Sequence, residues 1–577
     1  MLLIYKIGFI VGGLSLLIFC LGQLFPISSV YLTIILILLF ASLAFLFLPV
    51  FRRDRLELFR VNKWHFVFFC IFIVITLPLV LLPPTARDEL IVHLAVPKLY
   101  LQKGSIFEIP FMGFSYVPMN IDLLYLIPMV FGNDVLPKLI HFCFAILTAL
   151  IIYTYLSKKI ERDFAVFGFF IFLTTPIVIQ LSTTAYIDLG LTFYSTLALI
   201  GMLKWREADF KIKWLIYSAI STGFALGSKY SALILLLFFT LTAIYFYSQA
   251  TRNQLKAIQT GFLYFCVAIL VFSPWLIRNY LWTGNPIYPL ANGLFTSGQG
   301  MHLSSLPPLQ MRNLLYGESL WYILLMPLRI FWEGKDGSHQ YFDGVLNPFF
   351  LLFIPFAFIG IKDRNIKYFA LFAFFFFFIA FFTVDIVIRY LLPILPVFII
   401  FVAYGIKKSF EIRRLKPIAM IAVAGLFIFN GWYVVNLYAK YQPQKYLIGK
   451  ETREQYLSRM LPDYPAVAFA NSILPDNAKV MLLFTGDRGY YWEREYYYGD
   501  RMGSDIIDFV KKASNEKELR DKFKAIGITH LFVRDSLFAK FSRDNFGTDK
   551  MEIIDKFFKT QLKPMYSKND YTLYEII

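Results

Sequence analysis

Asp88 and Glu89 stand directly after an apolar run, Phe66 to Leu82, that is long enough to cross a bilayer. They open the stretch Thr85-Ala-Arg-Asp-Glu-Leu-Ile-Val-His-Leu-Ala-Val-Pro-Lys-Leu-Tyr100. If that stretch continues as a helix, Glu89 and His93 lie one turn apart on one face, with Asp88 at its first turn. An acid at the end of a span can serve as an interfacial anchor or, at a helix start, as an N-cap. An acidic pair in an apolar frame also has a chemical reading: a partly desolvated carboxylate takes the proton from a hydroxyl as that hydroxyl attacks. Asp88 is the candidate general base, with Glu89 beside it.

A second acid, Asp188, sits in Thr183-Thr-Ala-Tyr-Ile-Asp-Leu-Gly190 at the head of another apolar helix. It reads either as an N-cap or as a group that orients a substrate or a metal ion. Cations are few near these acids. Lys98 and Lys103 follow the acidic pair, Lys229 ends an apolar run in Gly-Ser-Lys-Tyr230, Arg278 stands in Pro274-Trp-Leu-Ile-Arg-Asn-Tyr280, and Arg389 in Ile386-Val-Ile-Arg-Tyr-Leu-Leu-Pro393. Snorkelling accounts for any one of them, whereas several converging on one membrane face suggest a phosphate clamp. His93 alone is a weak signal.

The elements that must position these residues are membrane spans. Of the 577 residues 58% are hydrophobic, 19% aromatic and only 16% charged, and mean hydropathy is +0.60; soluble domains are poorer in apolar residues and richer in charge. Apolar runs near 7–25, 29–50, 65–83, 136–156, 164–182, 189–203, 214–229, 231–248, 260–277, 348–361, 368–384, 390–406 and 417–436 predict about thirteen transmembrane helices. Cys20, Cys70, Cys143 and Cys266 all fall inside such runs, so they form neither a disulfide framework nor a zinc cluster.

The net charge of +17 follows the spans and gives no reason to expect nucleic acid as a partner. With the N-terminus in the cytoplasm, six Lys/Arg-rich loops fall on the inner side, among them Arg52/Arg53/Arg55/Arg60/Lys63 and Lys407/Lys408/Arg413/Arg414/Lys416. The alternate loops 26–28, 183–188 and 385–389 hold one basic residue, Arg389. This predicts a cytoplasmic (inner) membrane protein whose long segments 84–135 and 278–347 lie outside. Their short apolar stretches, Ile121 to Phe131 and Leu320 to Trp332, read as interfacial or re-entrant helices. Residues 1–64 form an N-terminal hairpin and loop, 65–440 the membrane core, and 441–577 a small extracytoplasmic (periplasmic or extracellular) α/β domain. That domain carries strands at Lys479–Phe484, Thr529–Arg534 and Tyr571–Ile576 and helices at Asp505–Ala513 and Glu516–Ile526.

There is no Walker A loop, G-x-G-x-x-G, H-E-x-x-H or G-x-S-x-G. The loop Trp332-Glu-Gly-Lys-Asp-Gly-Ser-His-Gln-Tyr-Phe-Asp343 is polar enough for a divalent ion, but its spacing fits no ligand template. The run Gly489-Tyr-Tyr-Trp-Glu-Arg-Glu-Tyr-Tyr-Tyr-Gly499 is equally suited to stacking on sugar rings and to lipid headgroups.

The acidic pair after a span, Tyr-Ile-Asp188-Leu, Gly-Ser-Lys229-Tyr, Pro-Trp-Leu-Ile-Arg278-Asn with Gly-Asn-Pro-Ile-Tyr-Pro289, and Arg389-Tyr-Leu-Leu-Pro come in the order found in bacterial GT-C glycosyltransferases. Over roughly residues 65–440 the chain resembles the branch holding the protein O-mannosyltransferases, the lipid A aminoarabinose transferases and the rhizobial lipopolysaccharide core transferases. The resemblance implies a sugar donor linked to polyprenyl phosphate and an envelope lipid, polysaccharide or protein as acceptor. It implies that Asp88, Glu89 and Asp188 are catalytic. On the substrate side it implies Lys229, Tyr230, Arg278, Asn279, Arg389 and Tyr390, with Lys229, Arg278 and Arg389 meeting the donor phosphate; His93 and Lys98 join that side from the opening motif. No cofactor is implied, and a divalent metal has no ligand set to support it. Tyr116-Val-Pro-Met-Asn120 stands where the mannosyltransferases have His-Pro-Pro and the aminoarabinose enzymes acid-Lys-Pro-Pro, so neither group's specific substrate carries over. The two N-terminal spans look like an addition to the common core. A lipid-linked sugar flippase or transporter, or a non-catalytic scaffold, are the rival readings; transporters more often place broken helices and charges at mid-membrane and show internal repeats.

Overall fold

The structure is a computed structural model and describes residues 1–577 other than 29, 31, 36, 38–62, 296–307, 360–362, 385 and 500–503. The predicted second span, 29–50, and Arg52, Arg53, Arg55 and Arg60 therefore lie largely or wholly outside the described residues. Two compact units divide the chain: Met1–Leu81 with Lys103–Ile106 and Val117–Pro443, and Leu82–Gln102 with Phe107–Tyr116 and Gln444–Ile577.

The first unit is a helical bundle. Among the described residues eight helices are long and apolar enough to cross a membrane: Leu2–Leu24, Lys63–Val80, Leu136–Leu156, Tyr230–Thr251, Gln254–Thr283, Arg364–Thr383, Ile388–Glu411 and Lys416–Tyr441. Arg162–Thr174 and Pro176–Ser182 make a ninth if taken together, although they meet at 59°. The break has a cause in the chain: Pro176 starts a new helix and Thr175 leaves helical geometry at ψ 129°.

Three expected spans look different. The 214–229 run is the 15-residue helix Ile212–Leu226. The 348–361 run is a single turn, Phe350–Phe353, followed by the 3₁₀ segment Ile354–Phe358, which contains Pro355. The 189–203 run is a full helix, Asp188–Glu207, buried on nearly every residue. Its small and hydroxylated side chains explain both its modest hydropathy and its central place. Gly201 sits against Ser218, and the hydroxyls of Thr192, Ser195 and Thr196 donate to carbonyls four residues back.

The N-terminal helix is part of the bundle rather than peripheral to it. Tyr5 donates to the Leu197 carbonyl at 2.6 Å and Tyr194 to the Gly8 carbonyl at 2.9 Å. The apolar stretch 121–131 is the short helix Asn120–Met129, buried from Asn120 to Pro128. It is therefore packed inside the protein rather than exposed on its surface. Asn120 fixes its start: its N–H donates to Gly227 O at 2.8 Å and its Oδ1 accepts from Trp275 Nε1 at 2.7 Å. A Cβ at Gly227 would overlap the Asn120 amide, so this close approach requires glycine.

The second unit contains a five-stranded sheet of order β2-β1-β3-β5-β4, with β1 Lys479–Leu483, β2 Glu495–Tyr498, β3 His530–Arg534, β4 Leu562–Lys568 and β5 Tyr571–Ile576. β1 pairs in parallel with β2 and β3, while β5 runs antiparallel to β3 and β4. One face, with Met481, Leu483, Leu531 and Val533, packs on helices that include Glu516–Ala525 and Thr548–Thr560 through Phe523 and Phe557. The interior strand β1, between β2 and β3, is buried on both faces from Val480 to Leu483, which is why it reads Val-Met-Leu-Leu without alternation.

Candidate active site

In the bundle, Asp188 is the first residue of helix Asp188–Glu207, after Ile187 at the cap position, so its side chain does not serve as the N-cap. The side chain is 1% exposed and accepts from Lys229 Nζ at 2.7 Å. Lys229 follows helix Ile212–Leu226 in extended backbone, φ −163° and ψ 138°, which lets its side chain reach the head of the neighbouring helix. Its ammonium lies 4.2 Å from the Tyr390 ring centroid. The Arg389 guanidinium lies over Tyr186 at 5.3 Å and Tyr390 at 5.1 Å, and its charge acts on Asp188. Two cations thus act on one buried carboxylate, beside two aromatic rings.

His141 was not among the residues singled out in the sequence, yet it builds this corner. Its Nε2 accepts the Leu189 N–H at 3.0 Å, and its Nδ1 lies 2.9 Å from the carbonyls of Leu181 and Thr184. The network assigns the neutral tautomer with the proton on Nδ1. The imidazole thereby ties the end of helix Pro176–Ser182 to the start of the helix that carries Asp188.

Arg278 and Asn279 belong to a second network at the end of helix Gln254–Thr283. Arg278 is 3% exposed, lies between Trp275 (4.5 Å) and Trp282 (4.7 Å), and donates from Nε and Nη2 to Asn279 Oδ1 at 3.1 and 2.7 Å. Asn279 Nδ2 donates to Tyr230 Oη at 2.9 Å, and that hydroxyl donates to Tyr288 O at 3.0 Å. Tyr230 adjoins Lys229, so the chain links the two networks directly.

In the second unit the acidic motif forms one turn of π-helix, Glu89–His93, with Asp88 at its cap position and Leu94 N–H bonded to Glu89 O at 2.9 Å. The widened turn replaces the ordinary helix expected from the sequence; π-turns of this kind occur often at functional sites. Glu89 is buried, and its Oε2 accepts from the N–H groups of Thr85 and Ala86 at 3.1 and 2.8 Å. Glu89 thus closes the turn that presents Asp88, which is itself half-buried. His93 is half-buried at the far end of the same turn.

Lys98 and the aromatic run 489–499 turn out to be partners. Lys98 Nζ donates to the carbonyls of Tyr490 and Trp492, both at 2.8 Å. Tyr490 N–H donates to Leu90 O at 3.0 Å, Tyr491 Oη to Pro84 O at 2.7 Å, and Phe111 packs on Tyr497 with ring centroids 4.7 Å apart. The tyrosine-rich segment therefore backs the motif segment, an interaction that neither sequence alternative had named.

The acids of the polar loop 332–343 are occupied within the protein. Asp336 accepts from Tyr433 at 2.6 Å, Asp343 from Gly337 N–H at 2.7 Å, and Glu333 from Arg329 at 2.9 Å. Among the described residues no group of three or more His, Cys, Asp or Glu is placed to hold a metal ion.

The architecture has solved counterparts. ArnT from Cupriavidus metallidurans in the apo state aligns with a TM-score of 0.50 at 11% identity, over 89% of this chain and 97% of that one. The same protein bound to undecaprenyl phosphate aligns with a TM-score of 0.50 at 12% identity, over the same shares. The chain has the GT-C fold. It is a multi-pass membrane protein. The oligosaccharyltransferase AglB from Archaeoglobus fulgidus, in complex with an inhibitory peptide and a dolichol-phosphate, aligns at a TM-score of 0.45 and 12% identity, over 89% of this chain and 74% of that one. The model of a domain of unknown function, DUF8201, matches residues 127–298. No curated protein matches the sequence.

Proposed function

We propose that this protein is an inverting glycosyltransferase that moves a sugar from a polyprenyl-phosphate donor to a hydroxyl of an envelope lipid, polysaccharide or protein, at the outer face of the cytoplasmic membrane. The observation that carries the reading is the Lys229–Asp188–Arg389 cluster, which gathers two cations around one buried carboxylate at the head of helix Asp188–Glu207 in a GT-C bundle. ArnT, which shares that fold, has been solved with undecaprenyl phosphate bound.

The reaction is a single displacement. The Asp88 carboxylate removes the acceptor hydroxyl proton, the oxygen attacks the anomeric carbon, and the bond from that carbon to the phosphate oxygen breaks with inversion. The electron pair leaves on the polyprenyl phosphate, a good leaving group that needs no general acid. Lys229 and Arg389 stabilise the charge that grows on it, Asp188 holds Lys229 in place, and Arg278, Asn279 and Tyr230 support the same corner. Glu89 shapes the turn that carries Asp88.

The test compares Asp88→Asn with wild type in purified, reconstituted protein. The expected result is loss of sugar transfer with donor-lipid binding and folding retained. Full transfer by Asp88→Asn would remove Asp88 from the mechanism.

A further inference from the structure

The segment Pro308–Trp332 is built inside out. Its charges are inside: Arg312, Glu318 and Arg329 each have about 2% of the side chain exposed. Arg312 donates from Nε and Nη2 to the two Glu318 oxygens at 2.8 and 2.9 Å, while Arg329 bridges Glu318 at 3.0 Å and Glu333 at 2.9 Å. Arg312 also donates to the carbonyls of Gln340 (2.6 Å) and His339 (3.4 Å), and Arg329 to that of Tyr322 (2.7 Å). Two guanidiniums against two carboxylates leave no net charge. The outward face is the reverse: Leu320 and Trp321 are 66% and 76% exposed, and Leu324, Leu325, Leu328 and Trp332 are exposed beside them. No charged residue interrupts that outer face from Leu320 to Leu328.

Such a surface opposes water on both counts. A solvated loop turns its arginines and glutamates outward, and a contiguous apolar patch of this kind marks a binding surface. Leucine with tryptophan at the rim is the composition of elements lying in a bilayer interface. The surroundings select the same occupant. Helix Pro308–Tyr316, which leads into the patch, packs on the span Arg364–Thr383, whose own apolar residues Leu371, Phe374, Phe378 and Phe382 are exposed, so the segment is tethered to a helix long and apolar enough to face lipid.

We propose that the face formed by Leu320, Trp321, Leu324, Leu325, Leu328 and Trp332 is seated among the acyl chains of one membrane leaflet, with the buried Arg312–Glu318–Arg329–Glu333 cluster holding the segment in its inverted shape. The partner is the lipid itself, and the segment is a half-submerged platform beside the bundle.

The full chain is reconstituted in phosphatidylcholine vesicles with or without brominated acyl chains. Tryptophan emission of wild type is compared with that of Trp321→Phe/Trp332→Phe. The wild-type-minus-variant emission isolates these two rings, and conservative replacement keeps the other tryptophans as an internal reference for folding. The expected difference emission is quenched by brominated chains and untouched by aqueous acrylamide. Quenching by acrylamide alone would place the face in water and overturn the proposal. Protection from both quenchers would show that a second copy or another protein covers the face, and would overturn it equally.

Discussion

The Lys229–Asp188 pair makes an asymmetric prediction, because its two members are buried to different degrees. Asp188 is 1% exposed and Lys229 24%. Lys229→Met strands a carboxylate with no route to water; breaking a buried pair in this way costs about 3–5 kcal/mol, moderated here by the charge of Arg389. Asp188→Asn leaves an ammonium that is partly solvated and already faces the Tyr390 ring at 4.2 Å. Asparagine also keeps an acceptor oxygen, so its cost stays near the value of one charged hydrogen bond, about 1.5–3 kcal/mol. The double variant removes both charges and, on this reasoning, is more stable than Lys229→Met alone. Its non-additivity lies near the upper end of the roughly 0.5–3 kcal/mol found for touching residues. The assay is denaturant unfolding in mixed micelles, followed by tryptophan fluorescence for wild type, both single variants and the double. Equal costs for the two single variants, or strict additivity in the double, would refute the argument from unequal burial.

Two further outcomes follow from the geometry. Glu89→Ala leaves the half-buried Thr85 and Ala86 N–H groups without this acceptor, a loss near the low end of about 1–3 kcal/mol for each donor; amide exchange at residues 85 and 86 accelerates, whereas unchanged exchange would mean that Glu89 does not close the turn. Burial alone would raise the Glu318 carboxyl, but hydrogen bonds from Arg312 and Arg329 outweigh it and hold the group below the usual carboxylate range. A depressed folded value stabilises the protein above the unfolded pKa of about 4.3 and is lost as pH falls through the folded value. Protease nicking within 308–333 therefore rises in acid below pH ~4 and stays flat between pH 5 and 8; nicking that does not change in acid would count against the cluster.

The sequence made the spans legible because hydrocarbon leaves a long, unambiguous apolar record. It was least reliable where helices meet helices. Asp188–Glu207 is central because of its glycines and hydroxyls, the residues that dilute a hydropathy signal, and Pro176 and Pro355 break runs whose composition is otherwise continuous. In the C-terminal segment the three apolar strands were predicted within a residue or so of β1, β3 and β5. The two missed strands had lost their pattern for separate reasons: β2 is a run of tyrosines, and β4 is a largely exposed edge strand with a bulge between Pro564 and Tyr566.

At the candidate site, residue types were readable but pairings were not. Lys229 and Asp188 are 41 positions apart, and nothing in either motif announces the other. His141 carried no signal beyond a histidine in an apolar run, and its role depends on a turn forty residues later. Lys98 sits beside the acids in sequence and invites a substrate role; its hydrogen bonds to Tyr490 and Trp492, almost four hundred positions later, are pairings that no local spacing announces.

That last connection bears on how the protein is made. The turn that presents Asp88 is braced by residues that leave the ribosome 392 positions after Lys98. At about 5–20 residues per second, the motif segment waits on the order of 20–80 s before its brace exists. A nascent or truncated chain can therefore hold a bundle with the Lys229–Asp188 pair formed while the Asp88 turn still lacks its support. Competence is deferred to the end of synthesis, and a chain cut short before Tyr490 lacks the brace of the turn that presents Asp88.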